Sequence, residues 1–367
     1  MTKVLLTGGS GFIAAHVLET LLSRGYSVIT TVRSQDKAKK IHDAHSNLGK
    51  DKLETAIVPD IAQEGAFDEV VKTPGIDIVL HTASPFHFKI STFCPCLRNP
   101  SLALFVGPHI NPISTADPKK DLIDPAVIGT TGILKAVAKS APSVKRVVIT
   151  SSFAAIIDAA KASDPNANFS EKSWNPVTID QIHENPGIAY RASKTLAEKA
   201  AWEFVNDKSN NAKFDIVTVN PPLVFGPVVH HLASLDSINT SNERIVALVQ
   251  GKWKDEVPET GVFLWVDVRD VAEAHVRAFE KPELGGKRLF TTAGYFSNRE
   301  VLNIVRKNFP DLKDKLPAED VKGGDLPPKD KLLTFDNSET TKSTGIQWTP
   351  LEKTITETVK SLKPFLN

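Results

Sequence analysis

Nearly unbroken apolar runs alternate with helical patterns along the first half of the chain. Residues 76–83 and 144–150 are runs rich in Val and Ile, and residues 119–140 between them have a helical pattern. Apolar strands that are separated by helices indicate a parallel sheet covered on both faces. We therefore expect an α/β protein with a doubly wound parallel sheet.

The alternation becomes irregular in the C-terminal part, where proline and glycine interrupt the pattern. Residues 298–309 and 350–362 have the pattern of peripheral helices. These features predict a smaller domain at the carboxyl edge of the sheet, where open α/β folds bind their ligands. We divide the chain into residues 1–222 and a mainly substrate-binding domain of residues 223–367, and we expect about residues 262–294 to return to the first domain.

The composition is that of an ordinary globular protein, with 41% hydrophobic and 24% charged residues. A net charge of +1 provides no electrostatic attraction to nucleic acid or to an anionic membrane. Residues 1–12 contain a short apolar run that glycines interrupt, which predicts neither a signal peptide nor a membrane span. Cys94 and Cys96 lie in one short segment, so we expect no disulfide framework. We predict a cytoplasmic protein that binds neither nucleic acid nor membranes.

A glycine-rich turn follows the first predicted strand. Gly8, Gly11 and Ala14 form a G-x-x-G-x-x-A pattern between this strand and the first helix. Glycines let the backbone turn tightly and approach a pyrophosphate, whose charge then lies at the helix N-terminus. At the start of a βαβ unit, this pattern predicts a dinucleotide-binding domain of the Rossmann type over residues 1–222. The flanking residues expected to contact the cofactor are Thr7, Phe12 and Ile13.

The end of the second strand bears on which dinucleotide binds. Folds that bind NAD usually place an acid there for the ribose hydroxyls, whereas NADP requires a cation for its 2′-phosphate. Here the strand is followed by Arg33, with Lys37 four residues later. We therefore predict NADPH/NADP as the cofactor. The alternative is a solvated Arg and Lys at the rim of the sheet, and Asp36 weakens the positive charge of the segment.

Two further strand ends are predicted to face the cofactor. Asp60 follows the third strand, where it could meet the adenine amino group, although an aspartate that caps a turn explains it as well. The fourth strand ends in small residues that allow close approach of the backbone to the cofactor. The predicted contacts at these two strand ends are Asp60, Ile61, Thr82, Ala83 and Ser84.

Ser151 and Ser152 end the fifth strand, and a Tyr190-x-x-x-Lys194 motif follows in an alanine-rich helical stretch. Residues four apart share one helix face, so the phenol and the ammonium group should be neighbours. This motif alone occurs often by chance and also fits a surface tyrosine beside a surface lysine. Together with the strand-end serine and the N-terminal glycine turn, it is far more specific.

With these features the chain resembles the extended short-chain dehydrogenase/reductase family. Within the family it is similar to the dihydroflavonol-reductase-like group, particularly the yeast-type NADPH-dependent methylglyoxal and 3-methylbutanal reductases. The resemblance spans essentially the whole chain apart from one insertion. Its segments are "GFIAAH", "RSQDKA", "VLHTASPF", "TSSFAA", "KSW", "AYRASK", "EKAAWEF", "VNPPLVFGP", "NTSNE" and "VDVRDVAEAH".

The resemblance implies a catalytic triad of Ser152, Tyr190 and Lys194. In this scheme Tyr190 donates a proton to the reduced carbonyl oxygen, and Ser152 donates a hydrogen bond to that oxygen. Lys194 is expected to lower the pKa of Tyr190 and to bind the nicotinamide ribose, and Tyr190 is also expected to contact the cofactor. Further cofactor contacts that we expect on the same basis are Pro221, Val224 and Ser241.

Other polar motifs are predicted to be structural. His81 is expected to pack rather than to shuttle protons, and Asp267, Arg269 and Asp270 are expected to cap a helix and form ion pairs at the domain junction. The two cysteines and the histidines at 230–231 lack a second cluster of ligands. We therefore expect no metal site.

The segment of residues 90–114 departs from the family pattern, which runs almost directly from residue 89 to residue 115. It contains both cysteines and has no helical or strand period, and a long structureless loop is unusual inside a compact domain. One interpretation is a substrate lid beside the active site. The other, which we favour, is a translated in-frame intron.

These observations predict an enzyme that reduces an aldehyde or ketone to the alcohol with NADPH. Phe86 and Phe153 are expected to line an apolar pocket for this small-molecule substrate. The alternatives are a sugar-nucleotide epimerase or dehydratase, a 3β-hydroxysteroid dehydrogenase, and a non-catalytic NADP-sensing regulatory protein. Arg33 and Lys37 argue against the first two alternatives, and the intact triad argues against the third. We expect a monomer or homodimer.

Overall fold

The structure is a computed structural model that describes residues 2–84, 117–162, 164, 166–229, 232 and 234–366. Twelve strands lie within these residues. In chain order they are β1 (Lys3–Thr7), β2 (Ser27–Val32), β3 (Leu53–Ile57), β4 (Ile76–His81), β5 (Arg146–Thr150), β6 (Asn168–Ser170), β7 (Asp215–Val219), β8 (Leu223–Phe225), β9 (Leu264–Asp267), β10 (Arg288–Leu289), β11 (Gly294–Tyr295) and β12 (Thr334–Asp336).

Seven parallel strands form the central sheet in the order β10-β7-β5-β4-β1-β2-β3. From β1 the chain first builds outward through β2 and β3, and then continues on the other side through β4, β5, β7 and β10. The direction therefore reverses between β1 and β4, and a ligand crevice is expected at the carboxyl ends of these two strands. The predicted doubly wound parallel sheet is confirmed.

Helices account for the segments between the strands. Nine α-helices lie within the described residues. They are α1 (Phe12–Ser23), α2 (Gln35–Ala44), α3 (Asp124–Ser140), α4 (Pro186–Asn206), α5 (Glu243–Val249), α6 (Val268–Glu280), α7 (Asn298–Asn308), α8 (Ser338–Thr344) and α9 (Leu351–Leu362).

Both faces of the central sheet are buried, as the unbroken apolar runs of its strands require. On β1, Val4 and Leu6 pack with helices α1 and α6, whereas Leu5 packs with α3 and α4 on the opposite face. Side chains alternate across a strand, so three consecutive apolar residues serve two separate cores. This arrangement leaves the two ends of the sheet as the places where polar groups collect.

The C-terminal part contains a three-stranded sheet in the order β11-β9-β8 and its own apolar core. The predicted strand at residues 286–294 is split, because β10 joins the central sheet whereas β11 pairs with β9. A third, two-stranded sheet pairs β6 with β12. The division at residue 222, with a return over about residues 262–294, stays a prediction.

The predicted helix at residues 119–140 has a break near its start. A π-helical turn covers Lys119–Ile123, and the α-helix begins at Asp124. Pro125 has no amide hydrogen, so regular α-helical bonding cannot continue through this position. The predicted insertion at residues 90–114 lies outside the described residues. Among the described helices, none is long and apolar enough to cross a membrane.

Candidate active site

Tyr190 and Lys194 lie in the second turn and the start of the third turn of helix α4. The side chain of Asn185 caps this helix by accepting a hydrogen bond from the amide of Ile188 at 2.9 Å. Pro186 lies in the first turn, where no amide donor is needed. Tyr190 and Lys194 are both half-buried and share one helix face. The helix therefore holds the phenol and the ammonium group side by side.

Ser152 follows strand β5 and contacts Tyr190. Its hydroxyl accepts a hydrogen bond from the amide of Ala154 at 3.1 Å, and it is also the hydrogen-bond partner of the Tyr190 hydroxyl. The hydroxyl of Ser151 instead donates to the buried carboxylate of Glu198. Of the two serines at this strand end, the structure thus brings Ser152 to Tyr190.

Burial controls the protonation of these groups. It raises the pKa of Tyr190, and the hydrogen bond with Ser152 offsets part of this effect. Burial also lowers the pKa of Lys194 to about 8. The loss of solvent around the phenol is the larger effect, so the pKa of Tyr190 lies above its ordinary value, and a lowering by the charge of Lys194 stays a prediction. At neutral pH the phenol keeps its proton.

Ser84 contacts residues from both ends of the predicted cofactor site. Its hydroxyl accepts a hydrogen bond from Lys194 Nζ at 3.4 Å. Its carbonyl accepts one from Arg33 Nη2 at 3.2 Å. Arg33 follows β2 and Ser84 follows β4, so both lie at the carboxyl edge of the sheet. The structure thus connects the lysine of the motif with the arginine that was predicted to bind a phosphate.

The glycine turn fits a diphosphate, because its backbone lies close to the segment that follows β4 and leaves no room for a side chain. Gly8 has a φ of +76°, and a Cβ at this position would lie 3.0 Å from the Cα of Ala83. The amide of Gly11 donates to the Gly8 carbonyl at 2.8 Å and precedes helix α1. Phe12 and Ile13 form the first turn of that helix, at the positive end of the helix dipole. The turn therefore presents amide donors where a diphosphate can bind.

Arg33 and Lys37 place two cations close together after β2. Burial lowers the pKa of both, and the charge of Arg33 lowers that of Lys37 further. The nearby charge of Asp60 offsets part of the effect of burial on the pKa of Arg33. Two neighbouring cations whose charges burial disfavours fit an anion such as the 2′-phosphate of NADP. The residues at both ends of the cleft therefore fit this cofactor.

A sequence model of the NAD dependent epimerase/dehydratase family matches residues 4–91 and 107–292. The chain belongs to this family. The match omits residues 92–106, which lie within the predicted insertion.

Several members of the family are similar to this chain over almost its full length. Ketoreductase azaE of Aspergillus niger is 43% identical over 365 residues, which are 98% of this chain and 97% of the relative. NADPH-dependent methylglyoxal reductase GRE2 of Saccharomyces cerevisiae is 39% identical over 367 residues, with coverage of 99% and 98%. The crystal structure of Gre2 from Candida albicans in complex with NADPH is 35% identical, covers 100% of both chains and has a TM-score of 0.86. These similarities confirm the predicted resemblance to the NADPH-dependent reductases of the extended short-chain family.

In this family member, several predicted cofactor contacts also have partners within the chain. The hydroxyl of Thr7 is 2.9 Å from His81 Nδ1 and accepts the amide of Ala83 at 3.1 Å. The Thr7 carbonyl accepts from the Thr82 hydroxyl at 2.5 Å. Burial lowers the pKa of His81 to about 3, so this ring is neutral, as expected of a packed histidine. These bonds hold the ends of β1 and β4 together beside the glycine turn.

Asp60 caps a turn in this structure, which is the alternative explanation given for it above. It is exposed, and its Oδ1 accepts a hydrogen bond from the amide of Ala62 at 2.9 Å. Ile61 is buried, and its Cδ1 would lie 3.2 Å from a Cβ added at Gly129 of helix α3. Contact of either residue with an adenine ring stays a prediction.

The family resemblance predicts that Pro221, Val224 and Ser241 contact the cofactor. In the structure these residues bond to one another or to the segment that follows β5. The amide of Val224 donates to the Ser241 hydroxyl at 3.0 Å. The carbonyl of Pro221 accepts a hydrogen bond from the amide of Phe153 at 2.9 Å. The side chain of Val224 is buried in the apolar core, and contact of these residues with a cofactor stays a prediction.

Phe153 packs among other aromatic side chains in this structure. Its ring stacks on Phe290 with centroids 5.2 Å apart and packs edge-on against Phe169. It is 5% exposed and belongs to a compact apolar cluster. Neighbouring side chains enclose much of the ring in this structure, and the predicted contact of Phe153 with a substrate stays a prediction. Phe86 lies outside the described residues.

The acidic motif after β9 is structural, as predicted. Asp267 caps helix α6 by accepting from the amide of Arg269, and the same two side chains form an ion pair at 2.7 Å. Asp270 accepts hydrogen bonds from the amide and hydroxyl of Thr349. These contacts join α6 to the segment before α9. Within the part of the chain that the structure describes, no group of three or more His, Cys, Asp or Glu side chains could hold a metal ion.

A buried carboxylate that was not predicted from the sequence, that of Glu198, binds the hydroxyl of Ser151. Glu198 lies four residues after Lys194 on helix α4 and forms an ion pair with Arg288 at 2.6 Å. The side chain of Glu198 is 0% exposed. Tyr190, Lys194 and Glu198 follow one another at a spacing of four, which was the available signal that all three share one helix face.

Proposed function

We propose that Tyr190 donates the proton when this NADPH-dependent reductase converts an aldehyde or ketone to the alcohol. The names of its relatives, ketoreductase and NADPH-dependent methylglyoxal reductase, share carbonyl reduction as their chemistry. The observation that carries the proposal is the hydrogen-bonded pair of Ser152 and Tyr190, with Lys194 on the same helix face. This pair lies at the carboxyl edge of the sheet, where the fold binds its ligands.

The protonation of the site suits a general acid. Bound NADPH supplies the hydride that reduces the carbonyl carbon. The oxygen of the product then needs a proton, and the phenol of Tyr190 retains one because burial raises its pKa. Lys194 has a pKa of about 8, so it is mainly cationic at neutral pH and stabilises the tyrosinate that remains. Ser152 provides a hydrogen bond to the same oxygen.

Each part of the cofactor can be assigned to residues of the site whose chemistry fits it. The turn at Gly8 and Gly11 would hold the diphosphate, and Arg33 with Lys37 would hold the 2′-phosphate. Lys194 would also reach the nicotinamide ribose. The cations after β2 favour NADPH over NADH and therefore disfavour the epimerase and steroid dehydrogenase alternatives. The monomer or homodimer state and the cytoplasmic location stay predictions.

The test is the variant Tyr190→Phe, which removes the acidic hydroxyl and keeps the ring. Because general acids contribute about 100- to 10,000-fold, we expect kcat for carbonyl reduction to fall by at least about 100-fold. Binding of NADPH, followed by the change in its fluorescence, should be retained within about threefold. Turnover near the wild-type rate would show that another group supplies the proton.

A further inference from the structure

We propose that Glu198 and Arg288 are positioning residues for carbonyl reduction, which fix the backbone that carries Ser152. The proposal rests on the proposed function, because it gives Ser152 the role of hydrogen-bond donor to the substrate oxygen. Neither residue contacts the hydroxyl of Ser152 itself. They act through the chain on both sides of it.

Glu198 binds three adjacent strands of the sheet at their carboxyl ends. Its carboxylate accepts hydrogen bonds from Ser151 after β5, from Thr218 of β7 at 3.1 Å, and from Arg288 of β10 at 2.6 Å. Further donors are Asn220 at 2.7 Å and Trp202 at 3.4 Å. A buried carboxylate is costly unless its acceptor sites are satisfied. Here five donors satisfy it, so its position is set from several directions.

The contact with Ser152 runs through Asn220. One side-chain nitrogen of Asn220 donates both to Glu198 Oε2 at 2.7 Å and to the Ser152 carbonyl at 3.3 Å. Ser151 binds the same carboxylate. The side chain of Ser151 and the carbonyl of Ser152 are thus tied to Glu198, the first directly and the second through Asn220, which restrains the backbone that carries the serine hydroxyl.

Arg288 extends this network to the segment after Ser152. Its guanidinium donates to the carbonyls of Glu171 at 2.8 Å and Ala155 at 3.3 Å, and to that of Ser173. It also lies 3.8 Å from the centroid of the Trp174 ring. The ion pair therefore holds the turn that Ser152 starts and the segment around residue 173 in one arrangement.

A second ion pair, between β5 and β7, provides the matched control. Arg146 begins β5 and binds Asp215 at the start of β7, at 2.6 and 2.8 Å. This pair lies at the amino end of the sheet, away from Ser152. Loss of either charge pair should weaken the fold, but loss of the pair at Glu198 alone should displace Ser152.

The experiment compares Glu198→Gln with Asp215→Asn in the full chain. We expect Glu198→Gln to lower kcat by about ten- to 100-fold, since a misplacement of about 1 Å costs about 100-fold. The NADPH Kd should change by less than about threefold. Asp215→Asn should lower Tm and leave kcat within about twofold of the wild type. Equal losses of kcat in the two variants would overturn the proposal.

A double-mutant cycle with Ser152→Ala separates positioning from general destabilisation. If Glu198 acts through Ser152, Glu198→Gln should cost less than about twofold in kcat once Ser152 is Ala. A full, additive loss in that background would contradict the proposal. If Glu198→Gln does not fold, Asn220→Ala replaces it in the same cycle, and an unchanged kcat for that variant would also overturn the proposal.

Tyr190→Phe measured in parallel distinguishes the two proposals. An active Tyr190→Phe enzyme would mean that the proposed proton donor is wrong. An inactive Tyr190→Phe enzyme beside a fully active, folded Glu198→Gln enzyme would reject the positioning role alone.

Discussion

Two ion pairs lie near opposite ends of strands β5 and β7, and the two pairs have different surroundings. At the amino end, Arg146 binds Asp215 and donates to the carbonyls of Ala278 and Lys281 at the C-terminus of α6. At the carboxyl end, Arg288 binds Glu198, and the network continues to the backbone of Ser152. Similar chemistry thus serves a helix end in one place and the candidate active site in the other.

The difference follows from the geometry of a parallel sheet. At the amino end, Arg146 provides donors for the last carbonyls of a helix, which a cation stabilises. The side chain of Asp215 is still 42% exposed, so water screens this pair. At the carboxyl end, Glu198 is 0% and Arg288 is 8% exposed. The more completely buried pair lies where strand ends and loops meet the ligand.

Lys194→Met, at the carboxyl end of the sheet, has the largest expected effect on kcat. Lys194 stabilises the developing tyrosinate, so kcat should fall by about 100-fold or more. Burial already disfavours the charge of this lysine, so Tm should not decrease. Steady-state kinetics and thermal unfolding check both results. Lys135→Met, on the exposed side of α3, is the control and should retain activity. A Lys194→Met enzyme with kcat within about threefold of wild type would contradict the assignment.

Acid should destabilise the carboxyl end, which holds two buried neutral histidines. Burial lowers the pKa of His81 to about 3 and that of His275 to about 4, from an ordinary value of 6.5. The stability that these neutral histidines allow is therefore fully present above pH 6.5. It is lost as the pH falls from 6.5 toward the folded-state pKa values of about 3 and about 4. Each group contributes at most about 1.4 kcal/mol per pH unit.

Urea unfolding at pH 7.5 and pH 5.0 checks this prediction, and the free energy of unfolding should be lower at pH 5.0. His275→Gln keeps a side chain that can bind the Thr150 hydroxyl, now 2.7 Å from His275 Nε2. That variant should show a shallower dependence on pH. Equal slopes for the two proteins would show that His275 takes up its proton in the folded state.

Arg33→Ala tests the smallest of the expected effects. Arg33 and Arg146 lie at opposite ends of the sheet. Arg146 forms an ion pair with Asp215 of the described chain, whereas Arg33 is predicted to bind the 2′-phosphate. We expect Arg33→Ala to raise the NADPH Kd by about tenfold and to leave the NADH Kd unchanged. Fluorescence titration with both cofactors measures this. Lys39→Ala on α2 is the control, because Lys39 is exposed and pairs with Asp43. Equal weakening of both cofactors would contradict the role of Arg33.

The central sheet could be predicted because its strands are apolar on both faces. Val4, Leu5 and Leu6 show this pattern in three consecutive positions. The split of residues 286–294 between two sheets could not be predicted, because β10 and β11 have two residues each. Which neighbour such short strands choose depends on distant parts of the chain.

The site could be predicted where its chemistry lies in local spacing, as for Tyr190 and Lys194. The direction of the Tyr190 pKa could not, because the sequence does not state how much solvent surrounds a helix face. Glu198 was missed for the same reason. A glutamate in an alanine-rich helix has the pattern of a surface residue, and its burial depends on partners such as Asn220 and Arg288 from distant strands.

The most direct test of the account is oxidation of NADPH and NADH by the purified full chain over a set of small aldehydes and ketones. We expect turnover that depends on the carbonyl compound, with kcat/KM higher for NADPH than for NADH. A folded chain that binds NADPH but oxidises it with none of these compounds would contradict carbonyl reduction as the function of this site.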